Sequence, residues 1–295
     1  MINKIFWKIG QEITPDTFIQ ADNYICSQHN LIRKLLAGKY YGLLPFEEAG
    51  APSYTVKAKL SNTDLYIEQL ACYGITEAGY FVQFEHNLIT TLPRQLSIPH
   101  SSANALYVVL RVNPFEQVLI EPVDNEEAPE AHSAYGLSIR ELNQIAANEL
   151  AIFKINNNAV IDNDYIPPCM SINACSALLE VFGSVKTLFA EIRSIIMQKR
   201  DQFGKLIYPI TLLHYELDEF SLYDSPGALV RLIKKFIMTY QFFIPDIRKI
   251  MRVETLEAYC HNDVAIIFKS LLSCLQTIKQ MVGTVEIEED FTPKI

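Results

Sequence analysis

The chain has 295 residues, of which 49% are hydrophobic, and a formal net charge of −9 at pH 7. That hydrophobic content is enough for a large core and excludes intrinsic disorder over most of the length. The negative charge argues against nucleic acid or an anionic membrane as the main partner, because both attract basic surfaces.

The six cysteines are scattered along the chain, without a CxxC pair or a dense framework. The N-terminus also lacks the pattern of a secretory signal peptide. Both features predict reduced thiols in the cytoplasm. Because no apolar run approaches the roughly 20 residues of a membrane-spanning helix, we expect no direct membrane insertion.

The N-terminal segment carries many large side chains for a chain terminus, among them the only tryptophan, Trp7. A helix is predicted to start at Thr14 or Asp16, either of which can cap it, and to run towards Leu36 before Gly38 ends it. Aromatic surface of this size must be covered by something. Two alternatives remain: the helix docks on its own domain, or it anchors another protein.

Between residues 41 and 165 the hydrophobic pattern has a period of two, which predicts β-strands. The predicted strands are 54–60, 64–72, 79–85, 106–112, 118–123 and 150–155. Residues 124–131 are predicted to be an acidic loop, and residues 138–150 contain a short helix at most. Strands at this spacing, without helices between them, predict an antiparallel sandwich or barrel.

Pro167 and Pro168 mark the joint between the sheet part and the helical part. Each proline holds φ near −65° and biases the preceding residue towards an extended conformation, which predicts a rigid exit from the sheet and a hinge here. Ser171 or Asn173 is expected to cap the first helix, residues 173–200, because a short polar side chain satisfies a free backbone N–H.

The helix at 173–200 carries apolar residues at alternating steps of three and four, which is the seam pattern of a coiled coil. The six seam residues are Leu178, Phe182, Val185, Phe189, Ile192 and Ile196. Burying six such side chains is worth roughly 9–18 kcal/mol before chain entropy is subtracted, so the seam needs a partner surface. That partner is either the chain's own later helices or other copies of the chain, which makes the seam a candidate trimer contact.

Three further helices are predicted after this one. The first lies around 210–222, after Pro209. The second opens with Ser225 as cap and Pro226 at the first helical position, where the missing N–H has no cost. The third follows residues 261–263.

The sequence therefore predicts an α+β protein with several domains. A β-sandwich domain is expected over 1–168 and a helical bundle over 169–284, since short connections favour an up-down arrangement. The remaining residues, 285–295, are acidic and are expected to fray.

No motif for nucleophilic, nucleotide-dependent or zinc-dependent catalysis is present, since GxSxG, P-loop, GxGxxG and HExxH patterns are all missing. Cys169 and Cys175 have no matching pair at zinc-ligand spacing. Cys260, His261 and Asp263 combine a nucleophile, a base and an acid, but adjacent side chains point apart and a helix start uses Asp for capping. We therefore predict no enzyme and no metal or cofactor.

The helix around 210–222 has two further features with structural explanations. Its acids Glu216, Asp218 and Glu219 are typical of a solvated helix face. His214 stands among apolar residues, and we expect an interior histidine whose hydrogen bonds are satisfied.

Several short segments, in their order along nearly the whole chain, resemble one family: TssK, the trimeric baseplate subunit of bacterial type VI secretion systems. The family's N-terminal signature matches Trp7, Gly10, Phe18, Gln20, Asp22 and Tyr24. Further matches are Tyr41-Gly42-Leu43, YIPPCMSINA (165–174), DSPGALVRLIKKF (224–236) and the pattern Tyr259, His261, Asp263. The family's usual Pro-Gln-His-Phe motif is PDTF here, at 15–18.

The resemblance implies a β-sandwich shoulder similar to those of phage receptor-binding proteins, followed by a helical neck that trimerises. It implies a homotrimeric, non-catalytic adaptor that docks on the wedge proteins TssF and TssG. Trp7 and the rest of the N-terminal signature are the candidate wedge-docking residues. Family members also contact the membrane complex through a C-terminal head domain. That domain is expected to be missing here, because only the acidic tail follows Val282, so this contact is not carried over.

A second class of function stays open. A phage-type receptor-binding or tail-tip adhesin has the same shoulder fold but binds an external receptor, often a saccharide. Contractile-sheath and baseplate genes next to the gene for this chain would favour the adaptor over the adhesin.

Overall fold

The computed structural model describes residues 4–5, 7–10, 12–45, 54–61, 64–85, 92–99, 103–120, 130–156, 160–244 and 259–284. Over these residues the chain is an α+β protein with antiparallel sheets, as predicted. It divides into two compact units, Met1–Met170 and Ser171–Ile295, which are described separately. Of the acidic loop predicted at 124–131, residues 124–129 lie outside the described residues, and Glu130 already begins a strand. The tail predicted at 285–295 also lies outside the described residues.

The described part of the first unit contains one long helix, α1 (Pro15–Ala37), and nine strands. The strands are β1 (Gly42–Leu43), β2 (Tyr54–Ser61), β3 (Asp64–Ile75), β4 (Phe81–Phe84), β5 (Gln95–Ser97), β6 (Ala105–Ile120), β7 (Glu130–Arg140), β8 (Glu149–Asn156) and β9 (Val160–Ile161).

The strands form two antiparallel sheets, each built on one long strand. In the first sheet β3 pairs with β1, β2, β4 and β5. In the second the order is β7-β6-β8-β9. The sheets contact each other through Tyr135 of β7, whose hydroxyl donates to the Gln83 carbonyl of β4 at 2.9 Å and accepts from its N–H at 3.0 Å. Tyr54 likewise donates to the Ile152 carbonyl.

The prediction of two separate strands at 106–112 and 118–123 is wrong. One strand, β6, passes through both and continues to Ile120, the last residue described there. Its pairing with β7 changes register between Asn113 and Gln117, around Pro114. A bulge of this kind lets a strand continue past a proline, which cannot donate to the ladder.

The short helix considered for residues 138–150 is replaced by a strand, a turn and a strand. β7 extends to Arg140, a 3₁₀ turn covers Leu142–Gln144, and β8 begins at Glu149. The turn is held by the buried Glu149 carboxylate, which accepts from the Ala146 N–H at 2.9 Å and lies 3.4 Å from the Arg140 guanidinium. The hydrogen bond and ion pair of this buried carboxylate stabilise the turn by more than the weak helical preference of residues 138–150 favours a helix.

Pro167 and Pro168 are buried and tied to β1. The Leu43 N–H donates to the Pro168 carbonyl at 2.8 Å, and the Met170 N–H donates to the Leu43 carbonyl at 2.9 Å. Gly42 has a φ of 119°, and a Cβ on it would lie 2.1 Å from the Pro168 oxygen. The hinge remains a prediction, and motion at these prolines would have to break both hydrogen bonds.

The second unit consists of four described helices: α2 (Ser176–Gln198), α3 (Arg200–Asp218), α4 (Pro226–Phe243) and α5 (Val264–Thr284). α2 packs against α3 and α5, and α4 packs against the same two helices. The predicted start of α4 is confirmed, since the Ser225 hydroxyl accepts from the Ala228 N–H at 3.3 Å and Pro226 follows.

All six seam residues of α2 are buried within a single chain; their exposure ranges from 0% to 6%. The ring of Phe189 stacks on Phe236 of α4 with 3.7 Å between centroids. Of the two alternatives for this seam, the structure has packing on the chain's own later helices. A trimer contact through Leu178, Phe182, Val185, Phe189, Ile192 and Ile196 would require the unit to open. This result does not test whether the chain is a homotrimer.

Two details of these helices correct the sequence predictions. The N-cap of α2 is Cys175, without a side-chain hydrogen bond, because Ser171 instead donates to Asn173 at 2.7 Å in a preceding 3₁₀ turn. Pro209 lies inside α3 and does not precede it. Burial of a continuous apolar stripe, from Leu206 to Leu217, outweighs the roughly 3 kcal/mol that an interior proline costs.

His214 of α3 is an interior residue, as predicted, but its hydrogen bonds are not all satisfied. Its ring lies against Phe189 and Phe236, with centroids 5.8 and 6.4 Å away, and its Nε2 has no hydrogen-bond partner. Burial, with a smaller contribution from the positive charge of Arg193, lowers the pKa of His214 from its ordinary value of 6.5. The imidazole is therefore held in its neutral form.

Acidification is expected to destabilise the second unit through His214. Because its pKa is lower in the folded state, the unfolded chain takes up a proton first, and stability falls as pH drops through 6.5 towards the folded-state pKa. Well above pH 6.5 the imidazole is neutral in both the folded and the unfolded chain, so its contribution to stability no longer changes with pH. Thermal melts between about pH 7.5 and 5 should show this slope in the wild type and a smaller slope in His214→Leu. The control His29→Leu, at an exposed site on α1, should keep the wild-type slope; an unchanged slope in His214→Leu would contradict the assignment.

Gly42→Ala is expected to destabilise the first unit by about 3 kcal/mol or more, because it adds a Cβ against the Pro168 carbonyl at a positive φ. Chemical denaturation measures the loss. Gly183→Ala is the matched control: this glycine lies in α2 with open space around its Cβ, so the change should stabilise by about 0.5–1 kcal/mol. Equal stability of Gly42→Ala and the wild type would refute the steric argument.

Candidate functional site

The candidate site is the N-terminal segment together with the outer face of α1. Of the six residues predicted for docking, five are exposed and one is half-buried. The exposed ones are Trp7, Gly10, Phe18, Gln20 and Asp22, and the half-buried one is Tyr24. The Trp7 side chain is 50% exposed and that of Phe18 is 58% exposed.

The ends of α1 follow local rules that the sequence predicts. Thr14 is the N-cap, and its N–H donates to the Thr17 hydroxyl at 3.3 Å. Pro15 occupies the first helical position, and Gly38 ends the helix with a φ of 57°. Asp16 in the first turn and a lysine in the last turn both suit the helix dipole. The helix over 15–37 is therefore confirmed.

One face of α1 is fixed to the first unit by small and polar contacts. Asn30 and Ala37 are buried, and Arg33 places its guanidinium 5.3 Å from the centre of the Phe81 ring. Gly79 passes so close that a Cβ on it would lie 2.2 Å from the Asn30 carbonyl oxygen. The inner face thus holds few large apolar groups, which reverses the usual polarity of a surface helix.

The large apolar side chains of α1 lie on its outer surface. Those that are exposed are Phe18, Ile19, Ile25, Leu31, Ile32, Leu35 and Leu36, and they follow the exposed Trp7, Ile9 and Ile13 of the preceding segment. We call these ten residues the N-terminal apolar surface. Leu35 and Leu36 are 72% and 83% exposed. Soluble proteins rarely expose so much apolar surface without a partner for it.

Of this surface the sequence prediction named only Trp7 and Phe18, and it missed the other eight residues, among them those from Ile25 to Leu36. The missed signal was the spacing of seven between Phe18, Ile25 and Ile32, which places them on one helix face. The same spacing is equally typical of a face that packs on its own domain. Only the structure decides between the two, because it shows α1 contacting the sheet through its other side.

The other sequence candidates form no second site among the described residues. Tyr259 and His261 meet just before α5, with 2.7 Å between the phenol oxygen and Nδ1, and Asp263 is buried. Burial raises the pKa of the Cys72 thiol to about 12. No group of His, Cys, Asp or Glu in the described ranges could hold a metal ion.

The acids of α3 lie at the surface, where Glu216 pairs with Lys235 of α4. No helix in the described part of the chain is long and apolar enough to cross a membrane.

Comparison with known proteins gave structural matches only. Neither the models of known protein families nor the curated proteins contain a match for this chain. A crystal structure of TssK matches 98% of the chain and 71% of its own length, with a TM-score of 0.65 and 14% identity. A chain of the type VI secretion TssK-TssF-TssG baseplate subcomplex matches 95% of this chain and 99% of its own length, with a TM-score of 0.63 and 15% identity.

A chain of the baseplate complex from the type VI secretion system gives a TM-score of 0.60 at 14% identity, over 95% of this chain and 99% of its own. The resemblance to TssK is thus confirmed at the level of the fold, over nearly the whole length.

Replacing Leu35 and Leu36 by serine is expected to change folding stability by only a few tenths of a kcal/mol, because both side chains are mostly exposed. The double variant should also self-associate less than the wild type in light scattering at equal concentration. Leu178→Ala is the control for a buried leucine and should cost about 2–5 kcal/mol. A comparable loss in the serine variant would show that the outer face of α1 is packed.

Proposed function

We propose that this chain is a structural baseplate subunit of a bacterial type VI secretion system, with the role that TssK has in its complexes. The observation that carries the proposal is the match of nearly the whole chain to the fold of TssK, including a chain of the TssK-TssF-TssG subcomplex. In this role the protein is a cytoplasmic adaptor that binds TssF and TssG. It carries out no catalytic reaction and needs no cofactor.

The two units correspond in this proposal to a β-sandwich shoulder over 1–168 and a helical-bundle neck over 169–284. Support for the sandwich comes from the contacts of Tyr135 with Gln83 and of Tyr54 with Ile152, each of which joins one sheet to the other. Support for the bundle comes from the pairwise packing of α2, α3, α4 and α5.

The N-terminal apolar surface is the proposed docking site for TssF and TssG. A half-exposed tryptophan provides a large rigid ring that can be buried on binding at low entropic cost. The leucines at the other end of α1 extend the contact along the helix. Exposed charged residues such as Lys8, Asp22 and Lys34 stand between these apolar residues, so the contact would combine apolar burial with a charged border.

We also propose that the protein acts as a homotrimer. Because the α2 seam is filled by the chain itself, the contact between copies must use other faces. A phage-type adhesin, the other function open at the level of sequence, has no observation in its favour, since the matching structures reported above come from TssK and type VI secretion baseplates.

Trp7→Ala is expected to weaken binding to the TssF and TssG proteins by about 2 kcal/mol, or roughly thirtyfold in Kd. Because the ring is half exposed, the melting temperature should stay nearly unchanged. Calorimetric titration and a thermal melt of the same variant measure the two effects. Ile266→Ala, at a partly exposed site on α5, is the control and should bind normally. Normal binding by Trp7→Ala would remove this residue from the docking site.

The mass of the purified protein in solution is expected to be three times that of one chain at micromolar concentration. Ile192→Asp should unfold the second unit, because it buries a charge without a partner in the α2 seam. A change at the seam should therefore reduce helical circular dichroism together with the trimer. A folded monomeric wild type in light scattering would contradict the homotrimer.

A further inference from the structure

The charged residues of α1 and its two flanks are segregated along the helix. Between residues 12 and 39 every acid precedes Ile25, and every arginine and lysine follows it. The acids are Glu12, Asp16 and Asp22, and the bases are Arg33, Lys34 and Lys39. All of them are exposed except Arg33, which lies over the Phe81 ring. In the described part of the chain no ion pair involves the five exposed ones, so their charges are available to another molecule.

Four exposed apolar residues of α1 form a straight stripe along the helix. Phe18, Ile25 and Ile32 are seven residues apart, and Leu36 follows four residues after Ile32. At about 100° per residue all four lie within about 20° of Ile25, over a length of about 27 Å. We call these four residues the α1 stripe. Each is at least half exposed, and a period of seven is the pattern on which a second helix packs.

The α1 stripe cannot turn towards its own unit. Asn30, on roughly the opposite side of the helix, is buried against the unit. Gly79 approaches this side so closely that a Cβ on it would lie 2.2 Å from the Asn30 carbonyl oxygen and 2.9 Å from the Lys34 Cβ. A helix whose backbone is held at this distance cannot roll about its axis. The stripe therefore stays available to a partner.

The order of charges selects the partner that fits the stripe. A helix that is acidic before Ile25 and basic after it is complementary to a second copy of itself that runs in the opposite direction. A parallel copy would instead bring like charges together. The dipoles of two helices also favour the antiparallel arrangement.

Two polar residues at one border of the stripe fix the centre of such a pair. Asp22 lies three residues before Ile25 and His29 lies four residues after it, and both are exposed. Their spacing of seven places them on the same side of the stripe. When two antiparallel copies meet near Ile25, Asp22 of each copy therefore lies beside His29 of the other. This contact occurs twice in the pair.

The area available on α1 suits a weak pair of this kind. Seven large apolar side chains of the helix are between 51% and 83% exposed. They leave about 700 Å² uncovered, taking about 170 Å² for a fully exposed side chain of this size. Two copies that cover most of this area on each other bury on the order of 1,200 Å² in total, which is the lower end for specific interfaces.

We propose that two copies of the chain pair through α1 in antiparallel orientation, with the α1 stripe of each copy covering that of the other. The pair hides the surface proposed to dock TssF and TssG, so these proteins must displace a copy when they bind. Only this competition rests on the proposed function. The pairing itself is argued from α1 alone.

Sedimentation equilibrium of the full-length protein over a series of concentrations tests the pairing. We expect the mass to rise towards twice that of the species at about 1 μM, with a Kd on the order of 100 μM. The doubling is the same whether that species is one chain or three. His29→Glu brings two acids together twice in each pair and should weaken association at least about tenfold. Addition of Asp22→Lys to this variant should restore association to within about threefold of the wild type.

The control Gln276→Glu adds one negative charge at an exposed site on α5 and should associate like the wild type. A wild-type mass that stays constant up to about 300 μM would overturn the pairing. An exchange of charge that fails to restore association would overturn the antiparallel arrangement. Circular dichroism of each variant ensures that a lost pair reflects the contact and not unfolding.

A titration with TssF and TssG separates the pairing from the proposed function. Added to the paired wild type, they should bind and return the mass of the unbound protein to that of the low-concentration species. Pairing without any binding of TssF and TssG would overturn the docking role and leave the pairing intact. Binding of TssF and TssG by a protein that never pairs would overturn the pairing and leave the docking role intact.

Discussion

The stack of Phe189 on Phe236 is the contact on which the helical unit depends. It joins α2 to α4 at 3.7 Å, and His214 of α3 lies against both rings, so three helices meet in one aromatic cluster. Tyr240 extends the cluster from α4, with its ring 4.8 Å from Phe236. Nε2 of His214 has no hydrogen-bond partner in this cluster, and burial lowers the pKa of the histidine, which keeps it neutral.

Because the α2 seam is used inside the chain, surfaces for other molecules must lie elsewhere. The structure offers two apolar surfaces of different character. The N-terminal apolar surface consists of ten large apolar side chains, with exposed charged residues such as Asp22 and Lys34 between them. On the second unit, the exposed Phe242 of α4 lies in a groove that is also lined by Lys234 and Lys235.

The candidate docking site was only partly predictable. Trp7 and Phe18 stand out in the sequence because a terminus rarely carries so many rings. Leu35 and Leu36 do not, since leucines in a helix usually point to the core. Both leucines are exposed because α1 packs on the first unit through Asn30 and Arg33 instead, with Arg33 over the Phe81 ring. That α1 turns its apolar side chains outward can be recognised only when the residues that pack against its inner face are known.

By itself the sequence determined the features that depend on neighbouring residues. α1 begins after its cap Thr14 and ends at Gly38, and α4 begins after its cap Ser225 with Pro226. The sequence predicts these ends because capping and proline geometry act within a single helical turn.

Only the tertiary structure decided the features that depend on distant contacts. Pro209 stays inside α3 because the stripe from Leu206 to Leu217 is buried by other helices. Residues 142–144 form a turn between two strands, which is held by Glu149, buried against Arg140. The seam of α2 is buried against the later helices of its own chain. In each case burial and pairing across the fold are worth several kcal/mol, which exceeds the local preferences of under about 1 kcal/mol per residue that a sequence pattern expresses.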